Sequence, residues 1–398
     1  MSVNLHVLVL PSWYPTRDCP VRGVFFRQQA IALHKTGIKV GVIYPNFRSL
    51  RELKIPALAG NHFQTNVIID KGIPTYYYHG WNVPRLRLEP LLWKWHSKKM
   101  FNLYKAKYGT PDLIHAHNIL WAGVSAMEIA QSENIPYMIT EHASNYVQDI
   151  VYSWQKPYIR KAINNAAVVL AVSKTLAGKL MTYSDRKRIE VIPNMVDTGF
   201  FVFPPVPRKV SPFCFLTVAR LNPKKGLDLL IKAFARAFSQ ENDVFLEIGG
   251  DGEQRAELES LVKNLRLNER VSFLGELSLE QVREAMWHAN AFVLPSYVET
   301  FGVVLIEAMA TGLPVIATAC GGPEEIIKPD TGLLVEPGNV VEMSKALKNV
   351  YEHRFELRKK ELAVRNYIVD YYSDKVIAKR LLEYYDQVLD AESNGRNR

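Results

Sequence analysis

Two glutamates, Glu299 and Glu307, frame the segment ETFGVVLIEAMATG (299–312), and Phe301-Gly302 stands between them where a helix must begin. The run NAFVLPSY just before it reads as a strand entering a loop. A helix that starts there presents unpaired backbone N–H groups and the positive end of its dipole, the ordinary seat of an anion. Gly302 would let that anion approach the backbone without meeting a Cβ, with Phe301 and Val303 beside it. Glu307, about a turn and a half into the helix, is placed to accept two hydrogen bonds from a vicinal diol such as a ribose. Glu299 can hold a second hydroxylated group on the other side. The chemistry these residues suit is the grip on a diphosphate that carries a hydroxylated ring at each end. Taken alone, either glutamate also reads as a helix cap.

The cations that such a grip needs lie upstream in VARLNPKKG. Arg220 follows the strand FCFLTVA, and Lys225 precedes Gly226 and the helical run LDLLIKAF. Charge-assisted hydrogen bonds from an arginine and a lysine contribute roughly 1.5–3 kcal/mol each, and a helix terminus adds about 0.3–1 kcal/mol. Together they suffice to neutralise a departing diphosphate without a metal ion. No Asp-x-Asp pair occurs in the chain, and no metal or cofactor is expected. Arg-Lys-Gly by itself is also an ordinary solvated loop. The segment EIGGDGEQRAEL brings Gly249, Gly250 and Gly252 to another strand end, but Arg255 occupies the place of the third glycine of a dinucleotide fingerprint. No strand-ending acid follows at the spacing a ribose requires, which argues against a nicotinamide dehydrogenase. CGGPEEI adds Gly321 and Gly322 after a further strand.

These turns require a particular scaffold. Short Val-, Ile- and Leu-rich runs alternate with helical patterns along the whole chain: LHVLVL, KVGVIY, PTYYYH, DLIHAH, PYMIT and AVVLAVS, then FCFLTVA, VFLEIGG, VSFLG, AFVLP, PVIAT and GLLVEP. Alternation of this kind predicts parallel sheets covered on both faces, and its repetition predicts two doubly wound α/β domains with ligand edges at the strands' carboxyl ends. The first is expected over 1–195 and the second over 213–373. Between them 196–212, with Pro204, Pro205, Pro207 and Pro212, reads as a linker. A last helix over 374–391 carries an apolar stripe, including Ile377, Leu381 and Tyr385, that needs a surface to cover; it is expected to pack back on the first domain.

Charge divides the chain. Residues 1–195 hold 24 Lys and Arg against 11 Asp and Glu, while the whole chain holds 49 against 40. A basic first half suggests an anionic partner, and solubility charge is the plain alternative. The stretch 85–109 concentrates seven basic residues among Trp93, Trp95, Phe101 and Tyr104. It reads either as a helix on an anionic membrane surface or as a covering helix whose lysines snorkel. No nucleic-acid-reading module is recognisable, so no nucleic acid is expected. Three scattered cysteines, Cys19, Cys214 and Cys320, suit a reducing cytoplasm. The opening run reads as a strand, not a signal peptide, and no apolar run is long enough to span a bilayer.

In order and spacing, VARLNPKKG, EIGGDGEQRAEL, VSFLG and ETFGVVLIEAMATGLPVIATACGGPEEI resemble the second domain of the family 4 retaining glycosyltransferases of the GT-B fold, and VIPNMVDTGFF resembles their interdomain passage. The likeness spans nearly the whole chain, is most specific over 215–335 and is looser before 110. It implies two Rossmann-like domains facing across a cleft and a hexosyl transfer from a UDP- or GDP-sugar to a glycan or lipid-linked hydroxyl acceptor. It implies that Glu299 contacts the donor sugar and Glu307 the ribose. Arg220 and Lys225 would hold the diphosphate beside Gly250 and the Phe301-Gly302-Val303 backbone, with Leu274 of Phe273-Leu274-Gly275 flanking the base. His117 of DLIHAH matches a family histidine that faces the transferred sugar, His142 of ITEHASNY another cleft position, and Gly23 the first glycine-rich turn. There the family often has two adjacent glycines and this chain has Arg22, a candidate contact for an anionic acceptor. His6, His79 and His115 read as structural. An epimerase, a phosphorylase or a non-catalytic nucleotide-sugar-binding subunit on the same fold are the alternatives.

Overall fold

The structure, a computed structural model, describes residues 5–17, 19, 21–49, 63–82 and 87–396. These divide into two compact units: the first comprises 1–192 together with 377–398, the second 193–376.

The first unit contains β1 (His6–Pro11), α1 (Val24–Lys35), β2 (Lys39–Ser49), β3 (Thr65–Asp70), β4 (Ile73–Asn82), α2 (Glu89–Tyr108), β5 (Leu113–His117), α3 (Val124–Glu133), β6 (Tyr137–Glu141), α4 (Lys156–Asn165), β7 (Val168–Ala171), α5 (Lys174–Met181) and β8 (Glu190–Val191). Its eight strands run in the order β3-β4-β2-β1-β5-β6-β7-β8, parallel except for the β3–β4 hairpin. Strands β1, β5 and β6 are buried along their whole length, as near-continuous apolar strands covered on both faces must be. The order reverses between β1 and β5, so the loops after these two strands open side by side.

The second unit contains β9 (Phe213–Val218), α6 (Leu227–Ala237), β10 (Val244–Gly249), α7 (Arg255–Asn264), β11 (Val271–Gly275), α8 (Leu279–His288), β12 (Ala291–Leu294), α9 (Val303–Ala310), β13 (Val315–Thr318), α10 (Pro323–Ile326), β14 (Gly332–Val335), α11 (Val340–Glu352) and α12 (Arg354–Tyr372). Its six strands are all parallel, in the order β11-β10-β9-β12-β13-β14. The core between sheet and helices includes Phe215, Leu230, Phe234, Ile248, Val293 and Leu347. Here the reversal falls between β9 and β12. Helix α13 (Asp374–Arg396) then carries the chain into the first unit, where Ile377, Leu381, Tyr385 and Val388 are buried.

All twelve strands expected from the sequence are present. Besides the two-residue β8, strand β3 was not anticipated. It pairs with β4 across Lys71-Gly72, whose φ values of 51° and 88° make the two-residue turn that matches hairpin twist. The stretch 196–212, expected as a linker, packs within the second unit. Arg208 is buried and donates to the Thr311 carbonyl at 2.7 Å, and the Trp287 indole donates to the Val202 carbonyl at 2.7 Å.

In the basic stretch 85–109, residues 85 and 86 lie outside the described residues; 89–108 form α2. Its inner face buries Trp93, Phe101 and Tyr104. Lys94 pairs with Glu128, and Lys98 and Lys105 both pair with Glu133, on α3. Leu91 (65% exposed), Trp95 (61%) and Leu103 (45%) face outward, with the Lys99 ammonium 5.4 Å from the Trp95 ring. Among the described residues no helix is long and apolar enough to cross a membrane.

Candidate functional site

In the second unit the residues singled out in the sequence gather at the carboxyl edge of the sheet. The loop after β9 carries Arg220 and Lys225, and the loop after β12 carries Glu299. Lys225 Nζ lies 2.8 and 3.1 Å from the two Glu299 carboxylate oxygens, with both side chains partly buried. Backbone bonds fix the loops that bring this pair together. Tyr297 N–H donates to the Lys224 carbonyl at 2.8 Å, and Gly322 N–H donates to the Glu299 carbonyl at 2.9 Å. Arg220 instead stands out in solvent, with its guanidinium 3.7 Å from Glu253.

Helix α9 begins at Val303 with Gly302 as its N-cap, and no side chain caps its first turn. Glycine at 302 has a backbone reason of its own. Its φ is 94°, which L residues rarely adopt, and a Cβ there would meet Leu305, Leu294 and Glu299 side-chain carbons at 3.2–3.6 Å. The backbone conformation demands it, whatever approaches from outside. Phe301, at the helix mouth, is buried against Tyr372 at 6.0 Å between ring centroids, so its side chain is a core anchor. Val303 is partly exposed in the first turn.

Glu307 is half-buried on α9, between the buried Ile306 and Ala308. Burial alone pushes its carboxyl up to about 7. No charge or hydrogen-bond donor among the described residues offsets that burial. A carboxylate in such a place is costly unless something donates to it.

Gly250, φ 117°, is where the turn after β10 crosses the turn after β9. Its N–H donates to the Gly275 carbonyl at 2.7 Å, and a Cβ would come within 1.9 Å of the Ala219 carbonyl oxygen. Leu274 is exposed on β11, and the Arg255 guanidinium lies 5.1 Å from the adjacent Phe273 ring. A residue that sequence reasoning passed over, Glu324, accepts the Gly321 N–H at 2.9 Å and shapes the loop after β13.

In the first unit a second set gathers at the edge of the other sheet. His117 ends β5 and His142 follows β6; both are buried, and His117 Nδ1 lies 3.2 Å from His142 Nε2. The Phe26 ring of α1 packs against both, at 4.8 Å. Burial, then the neighbouring His115 and His142, hold the His117 imidazole well below its ordinary value, so it is neutral near pH 7. Its Nε2 is enclosed and finds no partner among the described residues. His115 is the contrasting case: Nδ1 meets the Tyr385 hydroxyl at 2.7 Å and Nε2 the Thr140 hydroxyl at 2.8 Å, which satisfies both ring nitrogens. Gly23, φ 74°, sits 2.7 Å (from a built Cβ) from the Trp13 carbonyl oxygen, so only glycine fits the turn into α1. Arg22 is exposed, its guanidinium 5.9 Å from the Trp13 ring.

Sequence reasoning also passed over Glu141. It is completely buried at the end of β6 and accepts N–H bonds from Ile119, His142 and Ala143 at 2.7, 2.8 and 2.7 Å. Burial outweighs these bonds and pushes its carboxyl up to about 7. An acid ending a buried apolar strand, next to a histidine, was the available signal.

Comparison with known proteins matches residues 23–200 to the model described as Glycosyltransferase Family 4 and residues 202–365 to the model described as Glycosyl transferases group 1. The putative teichuronic acid biosynthesis glycosyltransferase of Bacillus subtilis is 29% identical over 378 residues, covering 88% of this chain and 90% of its own. The D-inositol 3-phosphate glycosyltransferase of Pseudarthrobacter chlorophenolicus is 27% identical, covering 84% and 83%. Among solved structures, sucrose-phosphate synthase from Thermosynechococcus elongatus superposes with a TM-score of 0.77 at 25% identity, covering 97% of this chain and all of its own. Anabaena HepE, described in complex with UDP and glucose, shares the fold with a TM-score of 0.73 at 20% identity, covering 96% of this chain and all of its own.

Proposed function

The chain belongs to the family 4 glycosyltransferases of the GT-B fold, and from that premise we propose that it moves a sugar, with retention and without a metal ion, from a nucleoside-diphosphate sugar to a hydroxyl of a glycan or glycolipid. The observation that carries this reading is Glu307: a half-buried carboxylate, about a turn and a half past an uncapped N-terminus, that finds no donor among the described residues. A ribose diol supplies two. Anabaena HepE, alike in fold, is also described in complex with UDP-glucose, which supports a nucleotide of this class.

In this reading the diphosphate lies at the first turn of α9 and draws Lys225 from Glu299, with Arg220 closing from solvent. Glu299, so released, accepts hydroxyls of the donor sugar. Leu274 flanks the base, and Gly250 keeps the β10 turn clear. The bond from the anomeric carbon to the diphosphate oxygen breaks as the acceptor oxygen bonds to the same face of that carbon, and the acceptor proton passes to the leaving phosphate. Lys225, Arg220 and the helix dipole stabilise the charge that develops on the diphosphate. His117, neutral, offers Nε2 to the transferred sugar, and His142, Gly23 and Arg22 form the acceptor side. The outward face of α2, apolar with lysines beside it, suits an anionic membrane surface that would present a lipid-linked acceptor.

Three purified variants test the assignment. Glu307→Ala forfeits two charge-assisted hydrogen bonds at roughly 1.5–3 kcal/mol each, so nucleotide affinity measured by calorimetry falls by more than about tenfold. Lys225→Ala behaves alike. His117→Ala keeps nucleotide affinity and loses turnover. Unchanged turnover in all three rejects the site, and conversion of donor without acceptor identifies an epimerase instead.

A further inference from the structure

We infer that Glu141 is a positioning residue for His117 and His142, the clamp that fixes both imidazoles at the edge of the first sheet; the inference rests on the role proposed above for His117. His117 ends β5 and His142 directly follows the neighbouring β6, and nothing in a parallel ladder fixes the loops beyond the strand ends. Glu141 does so with one carboxylate. Its Oε2 accepts the N–H of Ile119, two residues after His117, at 2.7 Å; its Oε1 accepts the N–H of His142 itself at 2.8 Å and of Ala143 at 2.7 Å. One rigid group thus spans from the β5 loop to the β6 loop, across a sequence separation of 22 residues.

A second observation points the same way. Asn118, between His117 and Ile119, has φ 72° and ψ 146°, a backbone region nearly confined to glycine. Such a conformation in a non-glycine residue persists only where the surroundings over-determine it, and it concentrates at functional sites. Three bonds over-determine it here. The Asn118 N–H donates to the Thr140 carbonyl at 2.9 Å, its Oδ1 accepts from the His142 N–H at 3.2 Å, and the following N–H belongs to Glu141. A bond network limited to holding a loop would not need a buried carboxylate, which is expensive to enclose. This one ends on the backbone of His142 and beside that of His117, whose rings meet at 3.2 Å.

The test is a double-mutant cycle. Glu141→Gln keeps the shape, retains one acceptor and presents an NH2 group where a second acceptor is needed. The expected result is a turnover number lowered about tenfold or more, with nucleotide affinity, a property of the second unit, within twofold of wild type. In a His117→Ala background the same substitution produces no further loss, because the group acts through His117. Asn118→Gly, which tolerates the backbone conformation and removes the amide acceptor, gives the same pattern in milder form and stands in if Glu141→Gln does not fold. Losses that multiply in the double variant, or a turnover number unchanged in either single variant, overturn the inference. Unchanged turnover in His117→Ala alone overturns the role of His117 instead, so the two failures are distinct.

Discussion

If Glu307 holds a ribose as proposed, a carboxyl pushed up to about 7 by burial makes nucleotide binding respond to pH in a defined direction. A diol donates to the ionised carboxylate, so binding must first remove the proton that enclosure favours. Affinity therefore rises with pH through about 7 and levels off above it, and binding near pH 6.5 releases protons, measurable by calorimetry in buffers of different ionisation enthalpy. In Glu307→Gln this part of the pH dependence disappears; an identical profile in the two proteins contradicts the ribose assignment. The stability consequence has the opposite sense. The folded form holds this proton more tightly than an unfolded chain, whose glutamates titrate near 4.5, so the contribution is full below that value and is lost as pH rises through about 7. Glu307 and Lys225 were legible in the sequence because each breaks a local pattern, an acid in an apolar helix and a cation before a glycine turn. Glu141 was passed over. Its only signal was an acid ending a buried strand beside a histidine, and its bond to the Ile119 N–H, 22 residues upstream, is one that no local pattern displays.

At the scale of elements, α13 is tied to the strand that ends in His117. The Tyr385 hydroxyl and His115 Nδ1 meet at 2.7 Å in a fully buried place. Tyr385→Phe leaves a buried ring nitrogen without its partner, at a cost of about 1–3 kcal/mol, so the thermal midpoint falls by several degrees while nucleotide affinity stays unchanged. A midpoint within one degree of wild type would make that bond dispensable. The strands were readable from apolar runs bounded by turn residues, since burial on both faces writes itself into composition. Strand β3 escaped because Val67, Ile68 and Ile69 are all exposed, so no half-buried alternation marks it. The prolines of 196–212 rightly excluded a helix, but they did not show that Arg208 would be buried there.

For the molecule as a whole, the excess of positive charge in 1–195 acquires a direction from α2. Three of its lysines are already paired with glutamates of α3, whereas Lys99 and Lys107 lie on the solvent side with Trp95 and Leu103. Each basic residue near an anionic bilayer contributes about 1 kcal/mol, so Lys99→Gln with Lys107→Gln should weaken sedimentation with phosphatidylserine vesicles by about tenfold or more at low salt. Equal partition onto neutral vesicles would mean that α2 is a covering helix and no more. Charge has a second consequence, at the Lys225–Glu299 contact. An incoming anion must outcompete a carboxylate already bonded to the lysine, which handicaps small ions such as chloride or free phosphate. A ligand that brings a pyrophosphate to one partner and hydroxyls to the other replaces both halves of the contact together. On the function proposed above, once the sugar has departed the stranded carboxylate would reclaim its lysine, and the spent nucleotide would be loosened by the very residues that admitted it.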